Sequence, residues 1–157
     1  MKIINMPSET WAYLAKESGI GGAQINATLE ETFERLTEKI ARAGIRTKGQ
    51  PRAHFRYRSG PYVGFEIGFP IEASDEPAAL RAGLNVGKAA PGEALVHIHR
   101  GPYTQLGTTY REMERSINER GFRARGDLWE LYLNDPDECK ASDLLTQIVW
   151  PVELAHA

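Results

Sequence analysis

Apolar residues recur with helical spacing at two places along the chain. In "LEETFERLTEKIARAG" the anchors are Leu29, Phe33, Leu36 and Ile40, followed by Gly44; in "LGTTYREMERSINERG" they are Leu106, Tyr110, Met113 and Ile117, followed by Gly121. Both sets fall at i, i+4, i+7 and i+11, one stripe of a helix, with glycine at i+15 where a left-handed C-cap residue belongs. Period-two alternation flanks both helices. Upstream lie "TWAYLAKESG" and "EALVHIHRGP", with Gly19 and Gly101 at their ends. Downstream lie "AHFRYRSGP" with "VGFEIGFPIE", and "DLWELYLNDP" with "LLTQIVWPVE". Each second strand closes on proline, a β-branched residue and glutamate: Pro70, Ile71, Glu72 and Pro151, Val152, Glu153. The pattern predicts one domain over residues 1–157 in which a β-α-β-β unit is written twice, a first half of about 1–72 and a second of 93–157. Residues 73–92 are rich in Ala, Gly and Pro without a sustained period and read as a crossover. Neither half buries its helix stripe alone, so an α+β fold is expected, with both helices on one face of a shared sheet.

If the more apolar members of each alternation face the helices, Val96, Ile98, Trp129, Leu131, Leu133, Ile148 and Trp150 do so. The open face then receives His97, His99, Glu130, Tyr132 and Gln147. Aligning the halves sets Glu66 opposite Gln147 and places His54 and Arg56 near Glu130 and Tyr132. Trp11 and Tyr13 join from the first strand. Aromatics, two carboxylates and imidazoles on one face suit an amphipathic ligand, and a cation above all. By pattern alone, Glu130 reads as readily as a charge on the solvated side of a strand.

Composition narrows the classes. Hydrophobic residues make up 41%, charged residues 25%, and the net charge is −2, values of an ordinary globular domain with no basic excess to attract nucleic-acid phosphates or anionic lipid. No apolar run reaches the ~20 residues of a membrane helix, and no signal-peptide core follows Met1, so no membrane association is expected. Cys139 is the single cysteine; with no disulfide to form, the chain is expected to be cytoplasmic. The "NAT" sequon at Asn26 is then a chance match. His97 and His99 share a strand face at a spacing metals can use, with Glu130 or His54 as a third ligand, but no paired-ligand signature accompanies them. No metal or cofactor is expected. "GIGG" lacks the lysine of a phosphate loop and no G-x-S-x-G elbow occurs. Cys139 lies in the acidic "DPDECKASD", which does not activate a thiol.

The duplicated pattern, "HRGPY" before the second helix, "WELYLNDP" after it and "IVWPVE" at the end resemble the GyrI-like small-molecule-binding domain, the effector-binding domain of bacterial multidrug-responsive and AraC-type regulators. The resemblance spans essentially the whole chain and is densest from Ala94 to Glu153. It implies two pseudo-symmetric halves forming one curved antiparallel sheet, two helices on its convex face and a ligand groove on its concave face. It also implies that Glu130 is the groove glutamate that meets cationic drugs, that Tyr132 is its neighbouring tyrosine, and that Glu66 matches a second acidic position. Residues before Trp11 are too few for a helix-turn-helix, so no direct DNA binding is expected. Members of this kind are, by the resemblance, drug or toxin binders, gyrase-modulating proteins with a topoisomerase or regulator partner, or hydrolases of strained cyclopropanoid electrophiles. In the hydrolase alternative Glu130 and Glu66 are the catalytic candidates.

Overall fold

A computed structural model describes residues 1–19, 22–59 and 62–156. In chain order the elements are β1 (Lys2–Met6), β2 (Glu9–Gly19), α1 (Gly22–Ala43), β3 (Arg52–Ser59), β4 (Tyr62–Pro70), α2 (Glu76–Arg81), β5 (Asn85–Ala89), β6 (Gly92–Arg100), α3 (Leu106–Glu119), β7 (Phe122–Ala124), β8 (Leu128–Tyr132) and β9 (Leu145–Leu154). The described pairings are all antiparallel, and the fold class is α+β, as the alternation predicts. The chain divides into two compact units, Ser8–Ala90 and Met1–Pro7 together with Pro91–Ala157. Of the loop signals in the sequence, residues 20 and 21 of "GIGG" and the turn residues 60 and 61 lie outside the described residues.

In the unit Ser8–Ala90 the strands run in the order β3-β4-β2-β5. Helix α1 covers the face that carries Ser18, whose hydroxyl accepts a 3.3 Å bond from Thr28 Oγ1. By alternation Ala12 and Leu14 share that face. Leu36 and Ile40 of the sequence stripe are buried, and Gly44 ends the helix at φ 68°, as the spacing predicts. The helix starts at Gly22, before Leu29, and Ile25, four residues ahead of Leu29, carries the stripe into its first turns. The stretch 73–92 contains more structure than its composition suggests. Pro77 sits in the first turn of the short α2, Gly83 follows at φ 84°, and β5 then pairs with β2. A six-residue helix and a five-residue strand are too brief to impose a period on that window.

In the second unit the order is β1-β6-β9-β8, with β7 on the C-terminal end of β9. Leu106, Met113 and Ile117 pack with Leu95, Ile148 and Val152, and Ile3, Tyr110, Leu128 and Trp150 border that core. Gly121 stops α3 at φ 78°, its N–H bonded to the Asn118 carbonyl. Strand β1, not among the strands expected from the sequence, pairs with β6 from Lys2↔Val96 to Met6↔Gly92. The strand preceding each repeat therefore serves the sheet of the other: β1 joins β6, and β5 joins β2.

The register corrects the expected phase of β6 and β8. Directly opposed residues of an antiparallel pair point to the same face. Leu95 opposes Trp150, His97 and Glu130 oppose Ile148, and His99 and Tyr132 oppose Thr146. Ile148 belongs to the α3 core, so His97, His99, Glu130 and Tyr132 look toward α3, and Val96, Ile98, Trp129 and Leu131 look away from it. The expectation failed because the far face is also buried in part: Val96, Trp129 and Val149 are all buried. With apolar residues on both sides, hydrophobicity alone does not tell the faces apart.

Candidate functional site

Two clusters of polar and aromatic side chains form, one in each unit. In the unit Ser8–Ala90, Glu66 on β4 opposes His54 on β3 and Ala15 on β2. His54 Nδ1 donates to Glu66 Oε1 at 3.0 Å and Arg56 Nη1 to Oε2 at 3.1 Å. Arg56 reaches the carboxylate because a β-bulge between Phe55 and Tyr57 shifts the register and re-aims it. Trp11 stacks on Tyr13 with ring centroids 4.6 Å apart, and His54 meets the indole edge-on. Gly68, opposite Tyr13, makes room for this stack, since a Cβ there would lie 2.7 Å from the Trp11 ring and 2.8 Å from Tyr13 Cβ. Trp11, Tyr13, His54 and Glu66 all look away from α1, as expected. Burial alone would raise the Glu66 pKa; the His54 bond and the Arg56 charge outweigh it and hold the carboxyl below its ordinary value. Tyr13 is raised by burial and by the neighbouring Glu66 charge.

The second cluster is centred on Glu130, 5% exposed in β8. Tyr132 Oη donates to Glu130 Oε1 at 2.7 Å, and Tyr103 packs edge-on against the Tyr132 ring at 5.8 Å. Among the described residues no cationic side chain bonds to or ion-pairs with Glu130. Desolvation therefore dominates and pushes its pKa up to about 7 against the opposing pull of the Tyr132 bond. The same burial and the Glu130 charge push Tyr103 up to about 12 and Tyr132 well above its ordinary value. His99 is buried beside this cluster. Its Nε2 donates to the Pro102 carbonyl at 3.2 Å, so Nδ1 takes the 2.7 Å bond from Thr109 Oγ1 of α3. His97 opens onto a cleft of about 440 Å³ that is lined also by His99, Arg100, Gln105, Thr108 and Thr109, and burial together with the N-terminal ammonium lowers its pKa. Gln147 is not with them; it opposes Leu131 and Ile98 on the far face.

Sequence pattern did not single out Tyr103, Thr109 or Thr146. Tyr103 and Thr109 reach the cluster from outside its strands. Thr146 was readable, being in phase with Ile148 and Trp150. Among the described residues no group of three or more His, Cys, Asp or Glu side chains is arranged to hold a metal. No helix among them is long and apolar enough to cross a membrane.

No curated protein matches the chain at a significant level. Solved structures do. SAV2435 bound to tetraphenylphosphonium superposes with a TM-score of 0.69 at 14% identity, over 97% of this chain and 93% of that one. A hydrolase from Listeria innocua gives 0.69 at 16% identity, over 97% and 91%. The EcmrR C-terminal domain gives 0.75 at 14% identity, over 98% and 96%. These likenesses establish a shared fold. Residues 1–153, nearly the whole chain, match the GyrI-like small molecule binding domain, and the chain belongs to that family.

Proposed function

We propose that this chain binds a small amphipathic organic cation through Glu130, as a drug or toxin binder or as an effector sensor. One observation carries the reading: Glu130 is a buried carboxylate with no cation beside it among the described residues, whereas Glu66, equally buried, already has His54 and Arg56. Burying a charge without a partner is costly, and a ligand cation offsets that cost. Tyr132 and Tyr103 add aromatic faces for cation–π contact. SAV2435, which shares the fold, is seen with tetraphenylphosphonium, a lipophilic cation. Because Glu130 is closed off, contact requires a covering side chain to move, and the half-buried Tyr103 is the candidate.

The test is a titration with tetraphenylphosphonium followed by tryptophan fluorescence, Trp150 lying on the Glu130 face. Glu130→Gln should weaken binding by about 1–3 kcal/mol, the range for losing a charge-assisted contact. Equal binding by both proteins removes Glu130 from this role.

A second reading is a hydrolase that opens strained cyclopropanoid electrophiles, water adding across the broken ring bond. It is favoured by Glu130 alone, a buried carboxyl poised near 7 that can give a proton to a ring being opened or take one from an attacking water. Turnover beyond one equivalent, lost in Glu130→Gln, separates it from simple binding. Undiminished turnover in the Glu130→Gln, Glu66→Gln double variant excludes both carboxylates from the chemistry.

A further inference from the structure

The repeat supplies an internal control for the Glu130 cluster. Ile67 and Ile148 are equivalent, each three residues before the proline of its strand. Ile67 opposes Ala53, where Ile148 opposes Glu130; Phe65 opposes Phe55 and Lys16, where Thr146 opposes Tyr132 and His99. Three positions that are Ala53, Phe55 and Phe65 in one unit are thus Glu130, Tyr132 and Thr146 in the other. Packing accepts alanine and phenylalanine at these places, so the fold does not require the polar trio.

Thr146 is the least explicable of the three on structural grounds. It is 0% exposed, and its Oγ1 has no hydrogen-bond partner among the described residues. Its neighbours on the same sheet face do not answer it. Tyr132 Oη is bonded to Glu130, and both ring nitrogens of His99 are bonded to Thr109 and Pro102. A buried hydroxyl left without a partner is destabilising, and valine would fill the same volume without that cost. Thr146 is also far smaller than the phenylalanine the fold tolerates there.

We infer that Thr146 is a ligand contact, and that the Glu130 site takes aromatic cations carrying a hydrogen-bonding group, such as a hydroxyl, in preference to cations with a purely hydrocarbon surface. The inference rests on the proposed role of Glu130 and names the chemistry of its ligand. Glu130 would meet the positive centre, while Thr146, beside Tyr132, reads a polar group displaced from it.

Tetraphenylphosphonium and its derivatives with one ring hydroxyl at the meta or para position make the test, with the methoxy analogues as size controls. For the wild type, at least one hydroxylated cation should bind roughly three- to tenfold more tightly than the parent, the gain from one neutral hydrogen bond. Thr146→Val should erase that advantage, so that hydroxylated and parent cations bind it within about twofold of each other, and it should melt at the same or a higher temperature without ligand, since it removes an unanswered hydroxyl. Absence of any hydroxyl preference in the wild type overturns the inference, as does a preference that survives in Thr146→Val. A lowered melting temperature in Thr146→Val would mean that the hydroxyl serves the fold, through a bound water for example, and overturns it too. Glu130→Gln distinguishes the two levels. Parent binding that Glu130→Gln weakens, without hydroxyl preference, defeats the Thr146 assignment alone. No wild-type binding of any of these cations defeats the Glu130 reading and this one together.

Discussion

Glu130 and Glu66 show how little a residue's identity says about its charge. Both are buried carboxylates, yet cations hold one below its ordinary pKa and desolvation lifts the other to about 7. The folded-state pKa of Glu130 lies above its ordinary value of 4.5, so its contribution to stability is full below about 4.5 and lost as pH rises through 7. Glu130→Gln should flatten that dependence and make the protein more stable than wild type at pH 8 by as much as ~3 kcal/mol, as read from denaturant melts across pH. Cation binding should run the other way, weakening as pH falls below about 7 and the carboxyl takes up its proton. Tyr132→Phe removes the hydroxyl bond that favours the ionised form. It should move the binding midpoint to higher pH, which a series of titrations would show.

Among the elements, α1 and α3 are defined at their C-terminal ends by glycine and along their length by a stripe. Gly44 and Gly121 stand at φ 68° and 78°, with nothing within 4 Å of an added Cβ. Their requirement is conformational and not steric crowding by neighbours. Gly44→Ala and Gly121→Ala should each cost about 1 kcal/mol in chemical denaturation, without altering ligand binding. A cost of 3 kcal/mol or more would mean that the caps hold something beyond the helix end. The strands behave differently. The bulge at Arg56 and the phase of β8 decide which side chains meet, and neither is announced by composition.

For the molecule as a whole, chain order and sheet membership part company. Met1–Pro7 belongs to the unit of residues 91–157, and β5 to the unit that precedes it. Deleting residues 2–6 should therefore expose the edge of β6, uncover Leu95 opposite Ile3, and strip hydrogen-exchange protection from β6. Strand β2, nearest in sequence to the deletion, should keep its protection, because it pairs with β4 and β5. Equal loss in both strands would contradict this division.

The helices were legible because a stripe such as Leu106, Tyr110, Met113 and Ile117 repeats at the helical period, and because only a left-handed stop explains glycine at Gly44 and Gly121. The repeat and the α+β class followed from the order of those signals. Glu130 and Tyr132 were also recognisable as candidates, through local alternation and the "WELY" strand. What alternation cannot supply is the side on which a set of residues lies. It assigns Glu130, Tyr132 and His99 to alternating positions, but only pairing with Thr146 and Ile148 turns them toward α3. Burial is a property of what packs from elsewhere. Ala53 and Glu130 occupy equivalent strand positions and are both buried, and only the assembled neighbourhood makes one a core methyl and the other a carboxyl poised near neutrality. Local periodicity is written in neighbouring residues, whereas desolvation is set by contacts between residues far apart in the chain.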